Sequence, residues 1–184
     1  KYFYNVRSID PNELSKVERA SRFIFLNKTC YNGLWRVNRK GKFNAPFGSY
    51  KTPTILDEDN LLSVSEYLNS AEIIIRSADF SRAIEDTKSG DFIYFDPPYQ
   101  PISDTAHFTK YNGSGFDEYE QQRLAEDFRC LDNRGCFVML SNSNTDLIND
   151  LYSDYSITVI KANRAINCKG DKRTGATELI VTNY

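Results

Sequence analysis

The second half of the chain alternates between short apolar segments and amphipathic segments, and this alternation restricts the fold more than any other feature. Short runs of β-branched and aromatic residues are typical of buried strands, and helical spacing of apolar residues is typical of helices that cover a sheet. The alternation predicts strands at 72–79, 91–95, 136–140, 156–162 and 176–182, with helices at 80–87, 117–131 and 146–152. The expected fold is therefore α/β, with a parallel sheet covered on both faces and a final antiparallel hairpin at its edge.

The first 69 residues follow a different pattern. Asp10-Pro11-Asn12-Glu13 predicts a capping box and a helix that continues to about residue 27. Glycines, prolines and interleaved aromatics predict an irregular or hairpin segment at 30–53, and a second helix is expected at 57–69. These patterns divide the chain into a helical and hairpin region at 1–69 and an α/β domain at 70–184.

The composition is that of an ordinary globular protein, with 184 residues, of which 40% are hydrophobic and 26% are charged. No segment has the length and hydrophobicity of a membrane span, and none resembles a signal peptide. The four cysteines are widely spaced and the only histidine is His107, so we expect reduced thiols and no metal site. We expect a cytoplasmic protein without membrane contact.

The distribution of charge indicates two local basic surfaces, although the net charge is −2. No acidic residue occurs from Asn27 to Leu56, a stretch that contains Lys28, Arg36, Arg39, Lys40, Lys42 and Lys51. A second basic stretch, 161–173, has five basic residues and one acid. Such surfaces are typical of nucleic-acid binding, and solvated loops are the alternative interpretation.

Residues 91–99, DFIYFDPPY, predict a functional site at the end of a strand. Neither Pro97 nor Pro98 has an N–H group to donate, so the hydrogen-bond ladder between this strand and its neighbour must stop after Asp96. Ligands of such sheets bind beyond the carboxyl ends of the strands, where Asn142 is a further candidate to line the crevice. The Asp96 carboxylate and the Pro97 carbonyl are two acceptors, which suit a planar NH₂ group with one acceptor for each hydrogen.

Two acceptors of this kind have a chemical use. An aromatic amine is a poor nucleophile because its lone pair is delocalised into the ring. Hydrogen bonds to both N–H groups localise that lone pair and stabilise the positive charge that develops during attack. Tyr99 offers a flat face on which a base can stack, an interaction worth about 1–3 kcal/mol. The motif therefore predicts a site that activates the amine of a heterocycle, and a turn without function is the alternative.

Asp96-Pro97-Pro98-Tyr99 resembles the catalytic motif of S-adenosylmethionine-dependent amino-methyltransferases of DNA. Longer segments, at 32–53, 91–111, 138–143 and 177–184, resemble the Dam-like group, the class α adenine-N6 methyltransferases, many of which modify GATC. The resemblance covers essentially the whole chain. It implies a Rossmann-like S-adenosylmethionine-dependent methyltransferase sheet, of which this chain has the C-terminal part, and a small DNA-recognition insert.

The resemblance also implies roles for residues of the predicted domain 70–184. Asp96 and the Pro97 carbonyl would hold the adenine N6, and Tyr99 would stack on an adenine flipped out of the duplex. Asp79 and Phe80 would line the adenine pocket of the methyl donor, S-adenosylmethionine, and Asp96 would also lie near the donor.

The 30–53 segment resembles a target-recognition hairpin that binds double-stranded DNA. Arg36 would read a guanine through its O6 and N7 atoms, and Tyr31 would press between bases beside the flipped adenine. The implied DNA-binding residues are Tyr31, Asn32, Leu34, Arg36, Lys40, Lys42, Pro46 and Lys51. A further implied partner is a companion restriction endonuclease, expected for the modification enzyme of a restriction system. An orphan methyltransferase of the same type is the alternative.

Several donor-binding motifs of the family have no counterpart in this chain. They are a glycine-rich F-x-G-x-G loop, a basic N-terminal motif and an acid that holds the donor ribose, all of which precede the recognition segment in class α order. We therefore expect residues 1–184 to be a fragment that is inactive by itself. Two alternatives remain open: a non-catalytic DNA-binding remnant, and a methyltransferase that acts on another amino group, such as cytosine N4.

Overall fold

The computed structural model describes residues 1–38, 40–70, 72–102, 116–162 and 176–184. His107 and residues 164–173 of the second basic stretch lie outside these ranges. The chain divides into two compact units, Lys1–Ile75 and Arg76–Tyr184. Among the described residues, no helix combines the length and the hydrophobicity needed to cross a membrane.

The described residues of the N-terminal unit form three α-helices and two short 3₁₀ helices. They are α1 (Tyr2–Ser8), a 3₁₀ helix (Pro11–Glu13), α2 (Lys16–Thr29), a 3₁₀ helix (Tyr31–Gly33) and α3 (Glu58–Ser70). The core of this unit comprises Phe3, Leu26, Cys30, Phe43 and Ala45, with Val6, Phe25 and Trp35 packed against them.

The long helix of this unit begins later than the sequence pattern predicts. Ser15 is its N-cap: the Ser15 Oγ accepts from the Glu18 N–H at 3.3 Å, and the Glu18 Oε2 accepts from the Ser15 N–H at 2.9 Å. Asp10 accepts only from the Asn12 N–H, and the 3₁₀ turn that it starts ends at the extended residue Leu14. The predicted capping box at Asp10 was therefore wrong, because Ser15 and Glu18 form the complete box.

Residues 30–48 form an antiparallel hairpin. Cys30 pairs with Phe47 and Val37 pairs with Phe43, while the Asn38 N–H donates to the Lys42 carbonyl at the tip. At Gly48 a Cβ atom would lie 2.6 Å from the Cys30 carbonyl oxygen, so only glycine allows the two arms to approach this closely.

The C-terminal unit confirms the α/β prediction. It contains α4 (Phe80–Ala83), β1 (Phe92–Phe95), α5 (Glu118–Arg134), β2 (Phe137–Ser143), α6 (Asp146–Leu151), β3 (Ser156–Ala162) and β4 (Ala176–Thr182). The described sheet has four strands in the order β1-β2-β4-β3. β1 and β2 are parallel, and β4 is antiparallel to both β2 and β3. β1, β2 and β3 therefore run in one direction, and the predicted final antiparallel pair is present.

Helix α5 covers one face of this sheet. Asp117 caps its N-terminus as predicted, and Gly135, with a φ of 82°, ends it in the left-handed conformation. Its apolar residues pack with Val138 and Leu140 of β2 and with Leu179 and Val181 of β4. In the described part of the chain the opposite face is open: Phe92 is 59% exposed and Tyr94 is 51% exposed. The expectation of a sheet covered on both faces therefore holds for one face of the described residues.

The predicted strand at 72–79 was wrong. None of its described backbone pairs with a strand, and Ile74 and Ile75 are 75% and 79% exposed. An apolar run matches the strand pattern, but a strand also needs a neighbour that accepts and donates its ladder bonds. The helix predicted at 80–87 is limited to Phe80–Ala83, because Ile84 has φ −104° and ψ 0° and ends the helical turn.

Candidate functional site

The site begins where β1 ends. The last ladder pair joins Phe95 to Leu140, and β2 continues beyond this pair to Ser143. Because β1 and β2 are parallel, their carboxyl ends lie at the same edge of the sheet. Asp96 therefore leaves β1 beside the Ser141 end of β2, as the sequence predicts for a crevice at this edge.

A serine hydroxyl orients the Asp96 carboxylate. The Ser141 Oγ donates to the Asp96 Oδ1 at 3.0 Å and lies 2.8 Å from the Tyr94 hydroxyl. Serine has a single O–H, which is directed to Asp96, so the Tyr94 hydroxyl must be the donor in the second bond. Among the described residues, the Asp96 Oδ2 accepts no hydrogen bond, and the Asp96 side chain is exposed. One carboxylate oxygen of this exposed side chain is thus held in place, and the other has no hydrogen-bond partner among the described residues.

Tyr99 lies half-buried next to this carboxylate. Burial raises the pKa of the Tyr99 hydroxyl above its ordinary value of 10.0, and the negative charges of Glu178 and Asp96 raise it further. The phenol is therefore neutral at physiological pH, and its ring is available as an uncharged flat surface.

Two buried side-chain amides lie under the turn that contains Pro98. The Gln121 Nε2 of α5 donates to the Pro98 carbonyl at 3.0 Å, and the Asn142 Nδ2 donates to the Gln121 Oε1 at 3.1 Å. The Asn142 Oδ1 accepts from the Gln100 N–H at 2.9 Å and from the Ser143 N–H at 2.8 Å. The sequence analysis placed Asn142 in the crevice, whereas the structure buries it completely beneath the crevice.

The predicted donor-binding residues Asp79 and Phe80 lie against α5. The Arg123 Nη2 is 3.0 Å from the Asp79 Oδ1, and the Arg123 guanidinium lies 4.8 Å from the centre of the Phe80 ring. Hydrogen bonds from Arg123 hold the pKa of Asp79 below its ordinary value, and Asp79 also accepts from the Ser81 N–H as the N-cap of α4. The exposed carboxylate next to an aromatic ring supplies the acceptor and the apolar surface that an adenine needs.

One helix therefore contacts both parts of the predicted site in this unit. Gln121 and Arg123 lie two positions apart on α5, and they reach Pro98 and Asp79 respectively. Gln121 and Arg123 were not predicted from the sequence, because no motif marks them. Ser141 lies in the segment 138–143 that resembles the Dam-like group, but no role was predicted for it. The partners of Ser141, Gln121 and Arg123 lie 45, 23 and 44 positions away along the chain.

The predicted DNA-binding residues all lie on or next to the hairpin of the N-terminal unit. Leu34 is half-buried, and the others are exposed: Tyr31, Asn32, Arg36, Lys40, Lys42, Pro46 and Lys51. The Arg36 Nε donates to the Asn44 Oδ1 at 2.8 Å, and its Nη2 lies 3.4 Å from the Asn44 carbonyl oxygen. Asn44 is a contact that the sequence analysis missed, and it fixes the direction of Arg36 across the two arms.

Comparison with known proteins identifies the family. The family described as D12 class N6 adenine-specific DNA methyltransferase matches residues 1–166. The chain therefore belongs to this family of DNA methyltransferases, as the resemblance of its motifs indicates.

Individual relatives align with nearly the whole chain. A Type II methyltransferase of Lactococcus lactis subsp. cremoris is 46% identical over 188 residues, which covers 100% of this chain and 66% of the relative. A Type II methyltransferase of Methanocaldococcus jannaschii is 47% identical over 189 residues, covering 100% and 65% respectively. The DNA adenine methylase of Escherichia coli K12 is 36% identical over 178 residues, covering 97% and 63%. The chain thus spans slightly less than two thirds of the length of these relatives.

The proximity of Asp96 and Tyr99 predicts that the Asp96 carboxylate raises the pKa of the Tyr99 hydroxyl. With ¹³C-labelled tyrosine and a Tyr99→Phe variant for assignment, the pKa of Tyr99 measured by NMR should exceed its ordinary value of 10.0. Asp96→Asn should lower that pKa, because a nearby negative charge disfavours the tyrosinate. Asp91→Asn, at the opposite end of β1, serves as the control and should leave it unchanged. A Tyr99 pKa at or below 10.0, or one that does not respond to Asp96→Asn, contradicts the described geometry.

Proposed function

We propose that the protein is a site-specific DNA adenine-N6 methyltransferase that transfers a methyl group from S-adenosylmethionine to a flipped adenine, within GATC. The observation that carries the proposal is the exposed Asp96 carboxylate, held through Oδ1 by Ser141 and followed directly by Pro97 and the half-buried Tyr99. Membership of the adenine-specific family supports the base and the reaction. The resemblance of the recognition segment to the Dam-like group supports GATC.

In this proposal the turn after β1 activates the target amine. The Asp96 Oδ2 and the Pro97 carbonyl each accept one hydrogen of the adenine N6. Acceptors aimed at a nitrogen that becomes positive in the transition state stabilise the transition state more than the ground state, and this difference accelerates the reaction. Because Ser141 already holds Oδ1, the carboxylate needs little reorganisation when the base arrives.

Tyr99 receives the base that leaves the duplex. An adenine inside a duplex cannot present its N6 to the Asp96 side chain, so the base has to be extruded, and stacking on an aromatic ring compensates part of the lost base stacking. The neutral phenol fits this role, because a tyrosinate would add a negative charge next to Asp96.

Asp79, Phe80 and Asp96 would hold the methyl donor. The donor supplies an electrophilic methyl group when it is bound. Asp79 offers a carboxylate to the amino group of the donor adenine, and Phe80 offers the edge of its ring. Arg123 keeps both in place from α5 through the ion pair with Asp79 and its position over the Phe80 ring.

The hairpin at 30–48 would provide the contacts to double-stranded DNA. Arg36 is the base reader, with its Nε edge tied to Asn44 and its Nη1 side turned to a guanine. Lys40 and Lys42 at the tip, with Lys51 beyond the second arm, contact phosphates, which explains the absence of acids in this stretch. Tyr31 is 52% exposed and is free to press between bases.

The names of the relatives support a proposal for the cellular setting. Two of them are named Type II methyltransferases, which supports a place in a restriction-modification system and a companion restriction endonuclease. Such a pair acts on DNA in the cytoplasm.

The catalytic role of Asp96 predicts loss of methyl transfer without loss of DNA binding. Asp96→Ala should lower the transfer rate of the protein at least about a hundredfold, because one of two aligned acceptors is removed. Digestion of the DNA to nucleosides and mass spectrometry would measure N6-methyladenine, and a gel-shift titration would measure duplex affinity. Asp91→Ala, at the start of the same strand, is the matched control and should remain active. Transfer by Asp96→Ala within tenfold of the wild type, or N4-methylcytosine as the wild-type product, contradicts the proposal.

The recognition role of Arg36 predicts a loss of discrimination. Arg36→Ala should reduce the preference for the cognate duplex over a duplex with one guanine replaced by about 1–3 kcal/mol. Lys42→Ala should weaken binding to every duplex alike. It should also reduce, by about one, the slope of the logarithm of the binding constant against the logarithm of the salt concentration. Competition titrations at two or more salt concentrations separate these effects. If Arg36→Ala weakens all duplexes equally, Arg36 contacts phosphate and does not read a base.

A further inference from the structure

Gln121 and Asn142 form a buried amide pair whose bonds lead to the catalytic motif. Both side chains have no exposed surface. Burial of an uncharged polar group is unfavourable unless its hydrogen bonds are formed, so such groups persist where they satisfy specific partners. The partners here are the Pro98 carbonyl and the Gln100 N–H, on either side of Tyr99.

The two backbone groups are those that a neighbouring parallel strand would bind. In a parallel ladder, a hydrogen-bonded residue of one strand binds two backbone groups of the neighbouring strand. Its N–H donates to the carbonyl just before the opposite residue, and its carbonyl accepts from the N–H just after that residue. The ladder between β1 and β2 ends with the pair of Phe95 and Leu140, and β2 does not pair with the backbone at Tyr99. The side-chain amides of Gln121 and Asn142 make the same two bonds. The Gln121 Nε2 donates to the Pro98 carbonyl, and the Asn142 Oδ1 accepts from the Gln100 N–H.

We propose that Gln121 and Asn142 are positioning residues for methyl transfer, which hold the segment from Pro98 to Gln100 so that Tyr99 and the Asp96–Pro97 acceptors keep their places. The inference rests on the proposed function. Neither side chain contacts the base, because both are enclosed in the core. Their effect passes through the turn, and a displacement of about 1 Å in such a site reduces rates about a hundredfold.

A pair of neighbouring glutamines on α5 provides a matched test. Gln121→Met in the protein keeps the side-chain length and removes the N–H that binds the Pro98 carbonyl. Gln122 is exposed at the next position, so Gln122→Met makes the same chemical change without touching the turn. We expect Gln121→Met to lower kcat for adenine methylation at least tenfold while the Kd for the duplex is unchanged, and Gln122→Met to match the wild type. A folded Gln121→Met variant with kcat within twofold of Gln122→Met overturns the proposal.

A second variant keeps the proposal testable if Gln121→Met does not fold. Gln121→Glu preserves the shape: a protonated carboxyl still donates to the Pro98 carbonyl, whereas an ionised one does not. We therefore expect its kcat, relative to the wild type, to fall over the pH range in which the introduced carboxyl ionises, a range measured from the ¹³C NMR signal of that carboxyl. A ratio that stays constant while this carboxyl ionises, or a variant that keeps its carboxyl protonated and yet has a kcat at least tenfold below the wild type, overturns the proposal. Other ionisable groups near Gln121 are present in both proteins, so their effects cancel in this ratio. Those closest along the chain are the N-cap Asp117 and Glu118, Tyr119, Glu120 and Arg123 of α5, and the turn contributes Asp96 and Tyr99.

The proposed function and this inference fail in different ways. A wild-type protein that methylates no adenine refutes the proposed function. In that case the ¹³C signal of the Tyr99 ring still tests the positioning: Gln121→Met should shift it, and Gln122→Met should not. If the wild type methylates adenine and the Gln121 variants retain both its kcat and its Tyr99 signal, only the inference fails.

Discussion

The candidate site depends on how the backbone is held after the ladder of β1 ends. Pro97 and Pro98 donate no hydrogen bonds, so this turn cannot be fixed by its own N–H groups. The Ser141 hydroxyl holds the Asp96 carboxylate at 3.0 Å, and the buried Gln121 amide holds the Pro98 carbonyl at 3.0 Å. These bonds come from two different elements, β2 and α5, and they leave one carboxylate oxygen without a hydrogen-bond partner among the described residues. An acceptor pair that has to meet a small amine is more effective when its geometry exists before the ligand binds.

The helix α5 connects this turn with the surface proposed for the methyl donor. Gln121 faces the turn, and Arg123 forms the ion pair with Asp79. Capping by Asp117 and termination at Gly135 fix where the helix begins and ends, and its apolar face packs on β2 and β4. The position of α5 against the sheet therefore sets two parts of the proposed chemistry at once. The proposed recognition elements belong to the other unit, where the bond between Arg36 and Asn44 orients the base reader within its own hairpin.

The sequence predicted the elements whose signals are local. β1, β2, α5 with its Asp117 cap and the antiparallel pair of β3 and β4 follow from periodicity and capping residues, and the motif at Asp96 follows from two consecutive prolines after an apolar strand. Most predictions that failed concern features that form only when another segment of the chain supplies a hydrogen-bond partner. The apolar segment 72–79 lacks a described ladder neighbour. The start of the helix after Asp10 was missed for a different reason: Ser15 and Glu18 are a second local capping signal, and it prevails over the one at Asp10. Ser141 and Gln121 could not be assigned, because their partners lie 45 and 23 positions away and depend on the register of packed elements.

The most direct test of the central claim is the position of the target amine in a complex. A crystal structure of the protein with a cognate duplex and a non-reactive analogue of the methyl donor would provide the two distances. We expect an extruded adenine on the Tyr99 ring, with its N6 about 2.7–3.2 Å from both an Asp96 carboxylate oxygen and the Pro97 carbonyl oxygen. An amine nitrogen more than about 4 Å from either acceptor, beyond the reach of a hydrogen bond, would contradict the account.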